Sequence, residues 1–244
     1  MRTVAVVGSS LAGLRAIETL RREGYDGRIV AIGGEPHLPY DRPPLSKELL
    51  AGTSEPDDIV LRKQGVDDLD VDWMLGKRAT SLDLGARELT LADGARVAFD
   101  GLVLATGSTP RRLPNQPELA GVHVLRTLDD ALALRAELDA GPRVVVIGAG
   151  FIGAEVAATC RGRGLDVTVL EALPQPMVRG LGPELGAVIA DMHRDHGVDL
   201  RTGVQVDAIE GRERVERVRL GDGSTIAADV VVVGVGVVPE TAWL

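Results

Sequence analysis

Two glycine-rich runs hold the residues best suited to chemistry. One reads RVVVIGAGFIG over residues 143–153, the other TVAVVGSSLAG over residues 3–13. The first contains Gly148-Ala-Gly150-Phe151-Ile152-Gly153, a complete GxGxxG between an apolar β-branched run and a helical pattern. That arrangement suits a dinucleotide pyrophosphate. The first glycine permits a tight strand-to-helix turn, a small second residue lets the backbone reach the phosphates, and the third lets helix and strand pack closely. Glu171 ends the next strand, 23 residues after Gly148. A carboxylate there accepts hydrogen bonds from the adenosine ribose and repels a 2′-phosphate, so the reading favours NADH over NADPH. A GxGxxG also arises by chance in α/β cores; strand, helix and acid in register separate this one from that case. The other turn is Gly8-Ser-Ser10-Leu11-Ala12-Gly13, with Ser10 in the second glycine's place, small and able to donate to a phosphate. Glu35, 27 residues after Gly8, is its candidate ribose ligand. Two turns are compatible with two copies of one cofactor. Two different dinucleotides instead suggest a relay, since a nicotinamide gives up two electrons together and a flavin takes them together and releases them singly.

The elements around the turns repeat as well. Gly8 and Gly148 lie 140 residues apart. After the first turn, Leu14, Ile17 and Leu20 mark a helix over about 11–22, with Gly24 as its stop and a strand over 28–32. After the second, a helix over about 152–163 stops at Gly164, and a strand over 166–170 follows. Such βαβ units imply parallel sheets covered by helices. Between the repeats come a proline-rich segment, 36–44, and a helical turn near 47–50. Strands over 86–91 and 96–99 then flank Asp93-Gly94, a hairpin signal, and a buried strand over 101–105 follows. The second half repeats this grammar, with strands over 215–220 and 225–227 and a buried strand over 230–233. The expected fold is α/β: two Rossmann-like dinucleotide-binding domains with parallel central sheets and antiparallel β-meander insertions. The expected division is one dinucleotide-binding domain over 1–110, a linker over 111–140 and a second dinucleotide-binding domain over 141–244.

Composition narrows the classes. The net charge of −9 argues against nucleic acid or an anionic membrane as a main partner, because most of the surface repels both. The single cysteine, Cys160, excludes an intramolecular disulfide and a two-cysteine redox centre within these 244 residues. Its helical position reads as a small buried apolar residue. No basic-then-apolar leader and no long apolar run is visible, so the expected location is cytoplasmic. No metal site is expected, and the oligomeric state stays open.

Six segments resemble the FAD- and NADH-dependent ferredoxin reductases of oxygenase systems, a family that includes putidaredoxin reductase, rubredoxin reductase and the reductases of aromatic-ring dioxygenases. They are VVGSSLAG (6–13), PYDRPPLSK (39–47), LVLATGSTPR (102–111), LRTLDDA (125–131), VVVIGAGFIGAEVAAT (144–159) and VVVGVGVVPE (231–240). They span the chain in the family's order, and PYDRPPLSK with LRTLDDA is more specific than either glycine turn. The resemblance implies that Gly8, Ser10, Leu11, Ala12 and Gly13 form the FAD pyrophosphate turn and Glu35 holds the FAD ribose. Arg42 faces the FAD phosphates, Lys47 sits near the flavin ring, and Ala79 offers backbone to the adenine side. Ala105, Thr106 and Gly107 line the FAD site, and Arg126 reaches it. Gly148, Gly150, Phe151, Ile152 and Gly153 hold NADH, with Glu155 on the nicotinamide amide and Gly236 beside the nicotinamide. Lys47 and Glu155 are the candidate catalytic residues.

Each assignment has a structural alternative. Lys47 and Glu155 are alternatively exposed helical residues, Arg42 a brace for the proline turn, and Arg126 a partner of Asp129 or Asp130. Family members continue past the position of Leu244 with a second FAD segment and a C-terminal domain that covers the flavin and helps dock the iron–sulfur partner. The FAD half is therefore expected to be incomplete. The implied activity is electron transfer from NADH through FAD to a ferredoxin-type iron–sulfur protein. The alternatives are an NADH oxidase, a small-molecule reductase of the same fold, or a non-catalytic nucleotide-binding fragment.

Overall fold

A computed structural model describes residues 2–244. The chain divides into two compact units: 1–41 with 57–109 and 239–244, and 42–56 with 110–238.

In the first unit, β1 (Thr3–Val7) leads through the glycine turn into α1 (Leu11–Arg22) and returns as β2 (Arg28–Ile32). With β3 (Val71–Met74) and β7 (Gly101–Leu104) these strands form a parallel sheet of order β3-β2-β1-β7. The meander of β4 (Ala79–Asp83), β5 (Glu88–Leu91) and β6 (Arg96–Ala98) precedes β7. Strand periodicity sorts the core. Ala5, Val7, Val30 and Ile32 face the meander residues Leu89, Leu91 and Val97. Val6, Ile29 and Ala31 face Leu14 and Ile17 of α1. The α1 stop is as expected: Gly24 lies in the left-handed region at φ 83° and donates to Arg21 O. The chain leaves this unit along β8 (Ser108–Pro110).

The second unit repeats the plan. It contains α2 (Glu48–Ala51), β9 (Val122–His123), α3 (Leu128–Leu138), β10 (Val144–Ile147), α4 (Phe151–Gly162) and β11 (Val167–Glu171). Then come α5 (Val178–Asp195), β12 (Asp199–Thr202), the meander β13 (Val206–Gly211), β14 (Val215–Leu220) and β15 (Thr225–Ala227), then β16 (Val230–Val233) and the returning strand β17 (Val237–Pro239). The parallel sheet runs β12-β11-β10-β16-β9. Val145, Ile147, Val231 and Val233 meet Ile209, Val218 and Leu220 of the meander.

The division differs from the expected one in three places. Residues 42–56 pack with the second unit, 111–140 belong to that unit's body, and 239–244 belong to the first unit. The supposed linker holds α3, which buries Leu128, Ala131, Leu134 and Leu138. Sequence reading also passes over α5, β3, β4, β9, β12 and β13.

The sheet of the second unit is tied at one end by Arg143 and Asp229, which precede β10 and β16. Arg143 donates to the Asp229 carboxylate from its backbone N at 2.9 Å, Nε at 2.9 Å and Nη2 at 2.7 Å. The side-chain hydrogen bonds from Arg143, aided by its backbone N–H and its charge, hold the Asp229 pKa down to about 2. A depressed carboxylate pKa contributes stability that is full above the ordinary aspartate value and fades as pH falls towards the folded value. Wild type is therefore expected to exceed Asp229→Asn in urea-unfolding stability at neutral pH, with the gap closing as the pH is lowered from about 4 to about 2. Cys160 is 0% exposed, and burial pushes its thiol up to about 12. An aromatic disulfide reagent is expected to leave it unmodified in the folded protein and to titrate one thiol in urea.

Candidate functional site

The two glycine turns have the same internal geometry. Gly8 N–H donates to Ile32 O at 2.8 Å, and Gly148 N–H to Leu170 O at 2.7 Å. Both lead glycines lie at positive φ, 114° and 98°. A β-carbon on Gly8 would stand 2.0 Å from Ala105 O, and one on Gly148 would stand 2.5 Å from Gly234 O. Each turn is thus pressed against the end of the neighbouring strand. Ala105 and its neighbours Thr106 and Gly107 follow β7, while Gly234 and Gly236 follow β16. The third glycines are tighter still: a β-carbon on Gly13 or Gly153 would lie 1.8 or 2.0 Å from the lead glycine's carbonyl oxygen. Gly150 differs, since a β-carbon there meets nothing within 4 Å. Its missing side chain leaves open space in front of the α4 N-terminus.

Neither helix begins with a competing anion. The first turns of α1 and α4 contain no acidic residue, and their N-caps, Ser10 and Gly150, make no side-chain cap. The helix-start amides and the positive end of each dipole are therefore directed at the turn. Leu11, Phe151 and Ile152 are exposed at these helix starts, at 47%, 56% and 44%. Ala12 lies beside Leu11 in the first turn of α1, and Ala79 opens β4, buried at 8% exposure.

The two expected ribose acids are engaged differently. Glu171 sits at the end of β11, with Oε2 accepting from Ala149 N at 2.7 Å and Oε1 from Leu173 N at 2.8 Å. The carboxylate is thereby fixed beside the second turn. Glu35 accepts from the Tyr40 hydroxyl, whose ring packs edge-on to His37 with centroids 6.3 Å apart. Sequence reading missed Tyr40, although it lies within PYDRPPLSK.

Within the second unit the two most specific segments meet. Arg42 Nη1 donates to Arg126 O at 2.6 Å. Asp130 accepts from the backbone N of Arg126 at 3.0 Å and of Thr127 at 2.8 Å, completing a capping box at the start of α3. LRTLDDA is thus a helix start that presents the Arg126 carbonyl to Arg42. Lys47 and Glu155 are also brought together, Nζ to Oε1 at 2.9 Å, each about one-third exposed. Ser46, missed in the sequence, donates to the other Glu155 oxygen at 2.5 Å. Gly236, at φ 109°, accepts from Arg111 N at 2.9 Å.

The sequence profile of pyridine nucleotide-disulphide oxidoreductases matches residues 2–244. The chain belongs to that family. Among pyridine nucleotide-disulphide oxidoreductases it is 42% identical over 243 residues to rhodocoxin reductase of Rhodococcus erythropolis, covering 98% of this chain and 56% of that protein. It is 41% identical over 239 residues to the chlorobenzene dioxygenase ferredoxin reductase component of Cupriavidus sp. strain PS12, covering 97% of this chain and 58% of the relative. The covalent putidaredoxin reductase–putidaredoxin complex superposes with a TM-score of 0.94 at 36% identity, covering 98% of this chain and 59% of that one. The chain therefore spans less than two-thirds of the length of these relatives. The α/β architecture and the resemblance to oxygenase ferredoxin reductases stand as expected. The family's disulphide chemistry finds no dithiol here, because Cys160 is the only cysteine of the 244 residues.

The contrast between Gly150 and Gly153 is a contrast in room for one carbon. Gly153→Ala is expected to cost about 1–3 kcal/mol of stability in urea unfolding, because the added carbon has no room. Gly150→Ala is expected to keep the wild-type melting temperature, because its added carbon meets open space.

Proposed function

We propose that this chain is the dinucleotide-binding part of an FAD-containing, NADH-dependent reductase that passes electrons singly to a ferredoxin-type iron–sulfur protein. The observation that carries the reading is the pair of matched glycine turns, each ending its strand at an uncapped, acid-free helix start. That geometry fits a pyrophosphate twice over. The names of the relatives, ferredoxin reductase components among them, support the acceptor.

Gly8, Ser10, Leu11, Ala12, Gly13, Glu35, Ala79, Ala105, Thr106 and Gly107 are the proposed FAD residues of the first unit. Gly148, Gly150, Phe151, Ile152, Gly153, Glu171 and Gly236 are the proposed NADH residues of the second. Arg42, Lys47 and Arg126 keep the roles towards FAD that the resemblance implies. FAD, when bound, supplies the junction between two-electron uptake from NADH and one-electron release.

The residues of this chain bind and orient. The Gly150 gap admits the NADH phosphates to the α4 amides. Glu171, held by Ala149 and Leu173, presents a fixed carboxylate to the adenosine ribose and disfavours a 2′-phosphate. Exposed Phe151 and Ile152 provide an apolar surface from which ligand binding displaces water. Glu155, paired with Lys47, offers an acceptor for the nicotinamide amide. Positioning accounts for this chemistry, and no protein acid or base has to act. A cytoplasmic location fits the reading, and among the described residues no helix is long and apolar enough to cross a membrane.

The test is to purify the protein, record its visible spectrum, titrate NADH and NADPH by calorimetry, and follow NADH-dependent reduction of a dye and of a ferredoxin. Flavin absorbance, NADH binding about tenfold or more tighter than NADPH, and ferredoxin reduction are expected. A colourless protein without NADH-dependent reduction overturns the reading. Preference for oxygen over ferredoxin replaces it with an NADH oxidase.

A further inference from the structure

Among the described residues, Ser46 and Arg62 are the buried polar or charged ones, and Ser46 is 2% exposed. Its hydroxyl donates to Glu155 Oε2 at 2.5 Å across 109 residues of sequence. Lys47, the next residue, meets Oε1 of the same carboxylate at 2.9 Å. Consecutive side chains on a regular helix diverge by about 100° and do not share one acceptor. Here the helix is interrupted. Residues 43–46 form a 3₁₀ turn, α2 begins at Glu48, and Lys47 between them has φ −119° and ψ −103°. That break directs both side chains to Glu155.

The break is itself held by α4. Glu155, Thr159 and Arg163 recur every four residues along α4 and just past its end, and so share one face. Thr159 Oγ1 donates to Ser46 O at 2.7 Å, and Arg163 Nη1 to Leu50 O at 3.0 Å. One stripe of side chains thus fastens residues 46–50 through a hydroxyl and two carbonyls. All of these residues belong to the second unit.

We propose that Ser46 is the positioning residue that orients the Glu155 carboxylate. The Lys47–Glu155 pair alone is partly exposed, and pairs within reach of solvent hold geometry weakly. A buried hydroxyl on a carboxylate oxygen is a charge-assisted bond with little freedom. With Oε2 tied to Ser46, Oε1 is left to Lys47 and to the nicotinamide amide, for which it serves as acceptor. This last role rests on the proposed function; the orientation of Glu155 does not.

The sequence holds three lysines, Lys47, Lys63 and Lys77, so lysine acylation of the full-length protein resolved by peptide mass spectrometry reads Lys47 directly. Lys77, paired with Asp93, is the internal reference. Ser46→Ala is expected to raise Lys47 labelling relative to Lys77 by about three- to tenfold, the size of one lost hydrogen bond. Ser46→Thr, which keeps the hydroxyl, is expected to label as wild type. On a Glu155→Gln background, Ser46→Ala is expected to add nothing further. Calorimetry is expected to show a similar weakening of NADH binding by Ser46→Ala and its rescue by Ser46→Thr. An unchanged Lys47 rate in a folded Ser46→Ala protein overturns the proposal. So does a Ser46→Ala effect that persists undiminished in Glu155→Gln, while an unaltered NADH affinity where wild type binds NADH overturns the nicotinamide role of the oriented carboxylate. If wild type binds no NADH, the functional reading fails, and Lys47 labelling still decides the place of Ser46.

Discussion

Each half of the fold rests on a contact that leaves no room for one side-chain carbon. At Gly13 and Gly153 the helix backbone passes so close to the lead glycine's carbonyl that a β-carbon would lie 1.8–2.0 Å from it. Everything else at the turn follows from that approach. The helix begins directly over the strand ends, and its first amides converge on the space beyond the sheet. The carbonyl oxygens of Ala105 and Gly234 close the other side against the lead glycines. A glycine at Gly150 has no such neighbour and leaves space instead. The same residue type thus performs two tasks within six positions, close packing at one and clearance at another.

The second unit adds a layer with no counterpart in the repeat. Residues 42–56 lie against α3 and α4, and their polar contacts run through backbone carbonyls as much as through side chains. Arg42 reads the Arg126 carbonyl, Thr159 the Ser46 carbonyl and Arg163 the Leu50 carbonyl. Carbonyl recognition of this kind depends on chain path more than on residue identity at the acceptor. It explains how a proline-rich segment with only four residues of α-helix acquires a defined shape. Lys47 and Glu155 meet because that path is fixed on both sides of them.

Much of this was legible in the sequence where several local signals agreed. The bounds of α1 and β2 coincide with the expected ones, since the glycine turn, the amphipathic stripe and the glycine stop all point one way. Where signals conflicted, the elements were missed. α5 contains Gly180, Gly182, Pro183 and Gly186, and it is two helices joined across a kink at Gly182, φ 79°. Its propensity is poor, and packing overrides it. β13 carries register shifts and the charged residues Asp207 and Glu210, so its alternation is blurred. α3 begins with a capping box whose third residue is Asp130 instead of the commoner glutamate or glutamine, so its start is masked and a linker is expected there. Of the site, the turns and Glu171 were visible because they are local in sequence. Lys47 and Glu155 came only from resemblance, each with a separate role, and neither their pairing nor Ser46 is legible at all, because a partner such as Glu155, 109 residues from Ser46, leaves no periodic trace.

The interleaving of the two units bears on how the chain is made. The second unit's first piece, 42–56, leaves the ribosome long before the body it packs against, and the first unit regains the chain only at 239–244. Trp243, in that last piece, packs on the core formed by β1, β2 and the first meander. Neither unit is therefore a contiguous stretch of sequence. Each needs long-range closure before its apolar faces are covered. Cutting at position 110 would divide each unit from part of itself, so for this protein a linear boundary does not mark an independently folding module.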